Sequence, residues 1–544
     1  MKIWYFVFAI SLLPVLNGAT GQSAQAQTAA NTPPPAASQP LRIRKDWEEL
    51  TPAEKAAFTH AIDVLKKKSR ANIFDRTGFI WQAWVHNCTT VRVPSSRSIS
   101  MTEDAFRKLL DNNTYDSCDP RNFVAMPDSP TPHMESPGEC EHRKDIFLPW
   151  HRAELWFFEQ ALRAADPTGA SGPSTKDVTL PYWNFTRKPS GKRYPKEFED
   201  PSSPLYDKTR YADPLPSSMR TSSPYLLAYL IYFDDWARFG GDSRGGLGQG
   251  DLESKIHNRM HGDYIGGHMG DNTRAGMDPI FYLFHNFLDY SLEKWIQAHG
   301  IDKIPAGDVR TNYMRAQQDQ SLGVPANYND GGGDPLQPWG SYLRNMGQSE
   351  LYLDAAKVGY AFKDTDKDNQ PQIIPKAEIS ALIEQHTAFA FGGNAISLMS
   401  ALLSNGLNGP SANPDIKLTG RFLVPKEKIP ANSIATLQFT RADVMPDYTF
   451  CAEVYLYPEG TKENIQDLNF RNRWLVASTA HWGLAHDHTP SIDLHDEVTG
   501  IVNSLVPAKS GTAWILTAAV SRCGGNKAPN ANDFSAPFIT VEQR

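Results

Sequence analysis

Cysteine is scarce in this chain. There are five in 544 residues, Cys88, Cys118, Cys140, Cys451 and Cys523. The odd count excludes complete pairing and leaves one cysteine with another task. Proximity along the chain suggests Cys88–Cys118 and Cys451–Cys523, although connectivity does not follow from sequence. Positive charge is not in excess: 54 Lys and Arg stand against 61 Asp and Glu, for a net charge of −7. That balance argues against a nucleic-acid partner and gives no reason to expect a membrane surface. The N-terminal apolar run, Ile3–Leu16, is too short to span a bilayer comfortably. With Lys2 before it and Ala24-Gln25-Ala26 after it, the run reads as a signal peptide over 1–26, and the expected location is secreted or periplasmic, where disulfides are permitted. No internal repeat is present.

The length favours two or three domains. Residues 27–45 read as a flexible leader rich in Ala, Gln, Pro and Thr. Thr51, Pro52 and Glu54 form a helix start with a capping box, and the helix runs to about Lys68. A second, mostly apolar helix is expected over Ile73–His86. Residues 87–139 look like a long loop. Helices return at Trp150–Ala165, Leu252–Tyr264 and Asp278–His299. Residues 363–415 read as a linker, and from about Gly420 short alternating runs such as FCAEVYLY and TAWILTAAV give the texture of an all-β sandwich. The expected architecture is a mainly α domain over 46–362, followed by a β-sandwich over 416–544.

The chemistry is written in histidine. His257 and His261 are four residues apart, which on a helix stacks two imidazoles on one face about 5–6 Å apart. His285 falls in the apolar run DPIFYLFHNFLDY, where an imidazole is costly unless it is bonded or ligated. His142 and His151 are nine apart in CEHRKDIFLPWHR, too far for one helix face, and His86 ends a buried aromatic helix. Three imidazoles form a neutral, borderline-soft site suited to copper or zinc, and two such sites make a dinuclear centre.

These segments resemble the type-3 copper proteins, the tyrosinases, catechol oxidases and their relatives. The likeness lies in H-x(8)-H with FLPWHR, then H-N-x-x-H, then D-P-x-F-x-x-x-H-x-x-x-D, in that order, and it extends over about 45–362 to Tyr360-Ala361-Phe362. The resemblance implies two copper ions, with O2 as co-substrate and small phenols as substrates. One copper would take His86, His142 and His151, and the other His257, His261 and His285. His133 is the rival for the place of His86. Cys140 and His142 match a C-x-H in which the sulfur is bonded to a ring carbon of the ligating histidine. Where the family often has His-His, this chain has Phe284-His285. Glu253 and Asn258 stand where relatives that hydroxylate monophenols hold a proton-accepting water. The resemblance therefore implies a phenol oxidase that ortho-hydroxylates monophenols and oxidises o-diphenols to o-quinones, shielded in a latent form by its C-terminal domain. The alternatives are a catechol oxidase without monophenolase activity, a haemocyanin-like oxygen carrier and a zinc hydrolase. His481, His486, His488 and His495 read as solvated loop residues.

Overall fold

The structure is a computed structural model. It describes residues 41–304, 354–363 and 414–543, each with interruptions; the stretches not described are chiefly 1–40, 186–193, 212–234, 242–248, 305–353, 364–413, 441–449 and 482–495. The signal peptide, the leader to residue 40, nearly all of the linker, Cys523, His486, His488 and His495 therefore lie outside the described residues.

Helix α1 (Pro52–Ala71) starts as the sequence predicts. Thr51 accepts from the Glu54 amide while the Glu54 side chain accepts from the Thr51 amide. Its buried residues, Phe58, Ala61, Ile62, Leu65 and Ser69, recur every three or four positions and face helices α2 (Phe79–Asn87) and α4 (Phe147–Arg163). The apolar stretch that begins at Ile73 becomes helical only at Phe79, because Asn72–Gly78 is used in turns. There Ser69 Oγ accepts from the Ile80 amide at 2.8 Å. The expected long loop 87–139 contains helix α3 (Glu103–Leu110), capped by Thr102, and a short ladder of β2 (Val91–Val93) with β3 (His133–Glu135). His133, the rival ligand, pairs with Val93 in that ladder.

The leader is not featureless to its end. Arg42–Arg44 form β1, which lies parallel to β4 (Tyr360–Phe362). A buried clamp fastens this junction to α4 and to α5 (Ile280–His299). The Arg44 guanidinium donates to Glu159 at 2.7 Å, Asn286 at 2.8 Å and Asp289 at 3.1 Å, Arg152 reaches Asp289 at 2.5 Å, and the Tyr360 hydroxyl donates to Asp289 at 2.5 Å. Because these groups are buried, removing one partner costs about 3–5 kcal/mol. The clamp fixes the α4–α5 pair on which two site histidines ride.

The helix expected over 252–264 is largely π-helical, in two segments, Leu252–His257 and Met260–Ile265. The Asn258 amide donates to Glu253 O and the Gly266 amide to His261 O, both five residues back. Such widened turns concentrate at functional sites.

The C-terminal strands form two antiparallel sheets. One has the order β5 (Ile416–Leu423), β10 (Ala513–Arg522), β7 (Phe450–Pro458), β8 (Leu475–His481). The other has β9 (Asp496–Glu497), β6 (Ser433–Thr440), β11 (Phe534–Gln543). They share a core that includes Leu437, Phe439, Val454, Leu456, Leu516 and Phe534. The two sheets approach closely at Gly420, where a Cβ would meet Pro537 O at 1.9 Å, so only glycine fits. Strand β8 also packs against the π-helical segment Leu252–His257.

Candidate metal centre

Both α4 and α5 present the pattern Phe-x-x-x-His near their first turn. His151 Nδ1 donates to Phe147 O at 2.8 Å, and His285 Nδ1 donates to Phe281 O at 3.0 Å. The phenyl rings then pack on the imidazoles they hold, with centroids 4.9 Å apart for Phe147–His151 and 3.9 Å for Phe281–His285. His86, at the end of α2, donates Nδ1 to Asn272 O at 2.9 Å, and His261 donates to Met269 O at 2.7 Å. His257 Nδ1 faces Asn258 Oδ1 at 2.8 Å, and Asn258 Nδ2 donates to Gln249 at 3.0 Å. His142 Nδ1 faces the Glu253 carboxylate at 3.1 Å.

A carbonyl oxygen only accepts, so each ring that meets one carries its proton on Nδ1 and leaves the Nε2 lone pair pointing inward. Ring nitrogens of His86, His142 and His151 lie within 4.8 Å of one another, and so do those of His151, His257 and His285. His261 Nε2 lies 3.5 Å from His285 Nε2, and His257 Nε2 lies 3.2 Å from it. All six predicted histidines thus converge, and all are buried. The first predicted triad appears as a group. The second grouping contains His151 in place of His261, so His151 stands at the junction of the two.

Lone pairs meeting at such distances repel unless a cation stands between them. Burial keeps the rings neutral: it pushes the pKa values of His151 and His261 down to about 3, and those of His86, His257 and His285 well below the usual imidazole value. The donor set is therefore neutral nitrogen with its protons on the outer side, which fits copper or zinc.

Glu253 and Asn258 are both buried beside this cluster, each hydrogen-bonded to a site histidine. Phe284 packs on His261 and His257, with centroids at 5.8 and 6.2 Å. Cys140 is buried and outside the disulfides, whereas Cys88 and Cys118 are bonded, as sequence proximity suggested. Cys451 is also disulfide-bonded, and its expected partner Cys523 lies outside the described residues. Gln249 and the carbonyls of Asn272 and Met269 escaped the sequence reading, because backbone acceptors and a glycine-rich loop carry no motif. His268 is no part of the cluster. Its Nδ1 meets Asp207 at 2.6 Å and its Nε2 meets Asn112 O at 2.9 Å, and despite its burial the Asp207 carboxylate raises its pKa.

The common central domain of tyrosinase matches residues 112–226 and 208–298, which include five of the six histidines. Over these residues the chain carries the central domain of the type-3 copper family. A tyrosinase from Hahella sp. (strain CCB-MM4) is 32% identical over 190 residues, 30% of this chain and 39% of that protein. A chloroplastic polyphenol oxidase of Malus domestica is 30% identical over 186 residues, 28% of this chain and 30% of that protein. The match therefore spans well under half the length of either relative. In fold, the chain is similar to latent apple tyrosinase (TM-score 0.51, 17% identity, 93% of this chain and 98% of that one). It is also similar to deoxygenated hemocyanin from Rapana thomasiana (TM-score 0.52, 14% identity, 93% and 100%). The central domain of the type-3 family implies a dicopper centre, and the histidine groups fit one. Among the described residues no helix is long and apolar enough to cross a membrane.

Proposed function

We propose that this chain is an exported phenol oxidase, secreted or periplasmic, that uses O2 to convert monophenols and o-diphenols to o-quinones. The reading rests on six buried imidazoles whose Nε2 atoms converge while their Nδ1 atoms are spent on hydrogen bonds. His86, His142 and His151 would hold one copper, and His257, His261 and His285 the other. When bound, the copper pair supplies the redox chemistry with O2: a monophenol and O2 yield an o-quinone and water, and two o-diphenols and O2 yield two o-quinones and two waters.

The protein sets geometry and protons. The Nδ1 anchors hold each ring before metal arrives, so little reorganisation is needed. Phe147, Phe281 and Phe284 exclude water around the rings. A phenol with a pKa near 10 is mostly neutral at pH 7, and Glu253 with Asn258 would accept its proton through a water at the site's edge. A thioether between Cys140 and a ring carbon of His142 would lock that ring, detectable as a crosslinked peptide two hydrogens lighter than its parts.

The contact of β8 with the segment that carries His257 supports a latent form, in which the β part (416–544) shields the site of the α part (46–362). The same contact also suits an oxygen carrier. Oxygen uptake with a monophenol and with a diphenol, before and after cleavage of the 363–415 linker, tests the proposal. Sustained uptake that rises after cleavage is expected. Reversible oxygen binding without turnover would favour the carrier, and uptake with diphenol alone a catechol oxidase. Metal analysis giving zinc in place of two coppers would sink all three.

A further inference from the structure

Five of the six site histidines give Nδ1 to a neutral oxygen: the carbonyls of Asn272, Phe147, Met269 and Phe281, and the amide of Asn258. His142 differs. Its Nδ1 lies 3.1 Å from Glu253 Oε1, with both side chains almost wholly buried. The two residues are 111 apart in sequence. Glu253 belongs to the π-helical segment that ends in His257, so a carboxylate from the element of one histidine group holds a ring of the other.

We propose that Glu253 is a positioning residue for His142, acting through the Nδ1–H···O contact to make His142 the strongest donor to the first copper and to couple that site to the His257 element. The proposal rests on the copper assignment above and adds a role to the proton-accepting one, since a carboxylate has two oxygens. A charged acceptor polarises the N–H more than a neutral one does, which raises the basicity of the ligating nitrogen. The contact also fixes the ring. His142 lies before α4, outside the helical turns whose carbonyls hold His151 and His285. The carboxylate supplies that anchor from across the site.

The test is chelator competition on fully loaded protein, reading the release of each copper separately; a His86→Ala variant identifies the first copper. Glu253→Gln keeps shape and an acceptor but loses the charge. It is expected to weaken the first copper about 10-fold and leave the second unchanged, and Glu253→Ala to weaken the first copper toward about 100-fold, the upper range for loss of such a partner. Unchanged affinity for both coppers, with only monophenol hydroxylation lost, would overturn the positioning role and leave Glu253 a proton acceptor. Equal weakening of both coppers would overturn it in favour of a structural role. Should the Ala variant fail to fold, the Gln variant decides alone. Wild-type protein that binds no copper pair would instead defeat the assignment on which the proposal stands.

Discussion

The rings of His151 and His285 stack with centroids 4.8 Å apart and planes 22° from parallel. Each sits in the second turn of its helix, and α4 and α5 pack together, so the two groups of imidazoles meet through this pair. His151 belongs to both histidine groups, and its Nε2 has no hydrogen-bond partner among the described residues. His151→Ala is therefore expected to release the first copper and to loosen the second, which sits beside its ring, whereas His261→Ala should retain the first. Copper per chain after exhaustive dialysis checks this. Equal retention by the two variants would refute the junction role of His151.

How much of this was legible beforehand depends on the range of the interaction. The helix starts at Thr51 and Asp278 are local hydrogen bonds and could be read. So could the histidine positions, because an imidazole in an apolar run is locally anomalous. Strand β5 alternates in exposure along its whole length, and its sequence follows that alternation until Leu423, an apolar residue on the exposed side. The π-helical winding could not be read, since a widened turn keeps the same residues and changes only which carbonyl each amide finds. Helix α3 was hidden because its eight residues sit among Ser, Asp and Pro and bury only Phe106 and Leu109. The Glu253–His142 contact joins elements far apart in the chain, and nothing local announces it.

Stability should depend on pH in opposite senses on the two sides of neutrality. In the copper-free protein burial holds His151 and His261 at folded pKa values of about 3, below the unfolded value near 6.5, so the unfolded chain binds protons that the fold refuses. Each lowers stability by about 1.4 kcal/mol per pH unit as pH falls from 6.5 toward 3. His268 is the reverse case. Its raised pKa makes its pairing with Asp207 fully stabilising below about 6.5, and that contribution is lost as pH rises through the folded value. Denaturant melts of copper-free protein at pH 5, 7 and 9 should show a steep acid limb and a shallower alkaline one. Asp207→Asn should cost about 3–5 kcal/mol at pH 6 and less at pH 9. An equal cost at both would show that the pair does not titrate as described.

The Cys88–Cys118 bond closes a loop of 30 residues immediately after His86, and its chain-entropy contribution is about 3–4 kcal/mol. Its placement gives it a second consequence. Trp84 Nε1 donates to Ser117 O at 2.9 Å, and the Ser117 hydroxyl donates to Thr273 O at 2.8 Å, next to the Asn272 carbonyl that anchors His86. Loosening the loop should therefore free His86 before it disturbs α4 or α5. A Cys88→Ser/Cys118→Ser double variant is expected to lose about 3–4 kcal/mol in denaturant melts. It should also release its first copper to a chelator more readily than its second. A stability loss of that size with both coppers held as in the wild type would mean that His86 is fixed by its own helix and owes nothing to the loop.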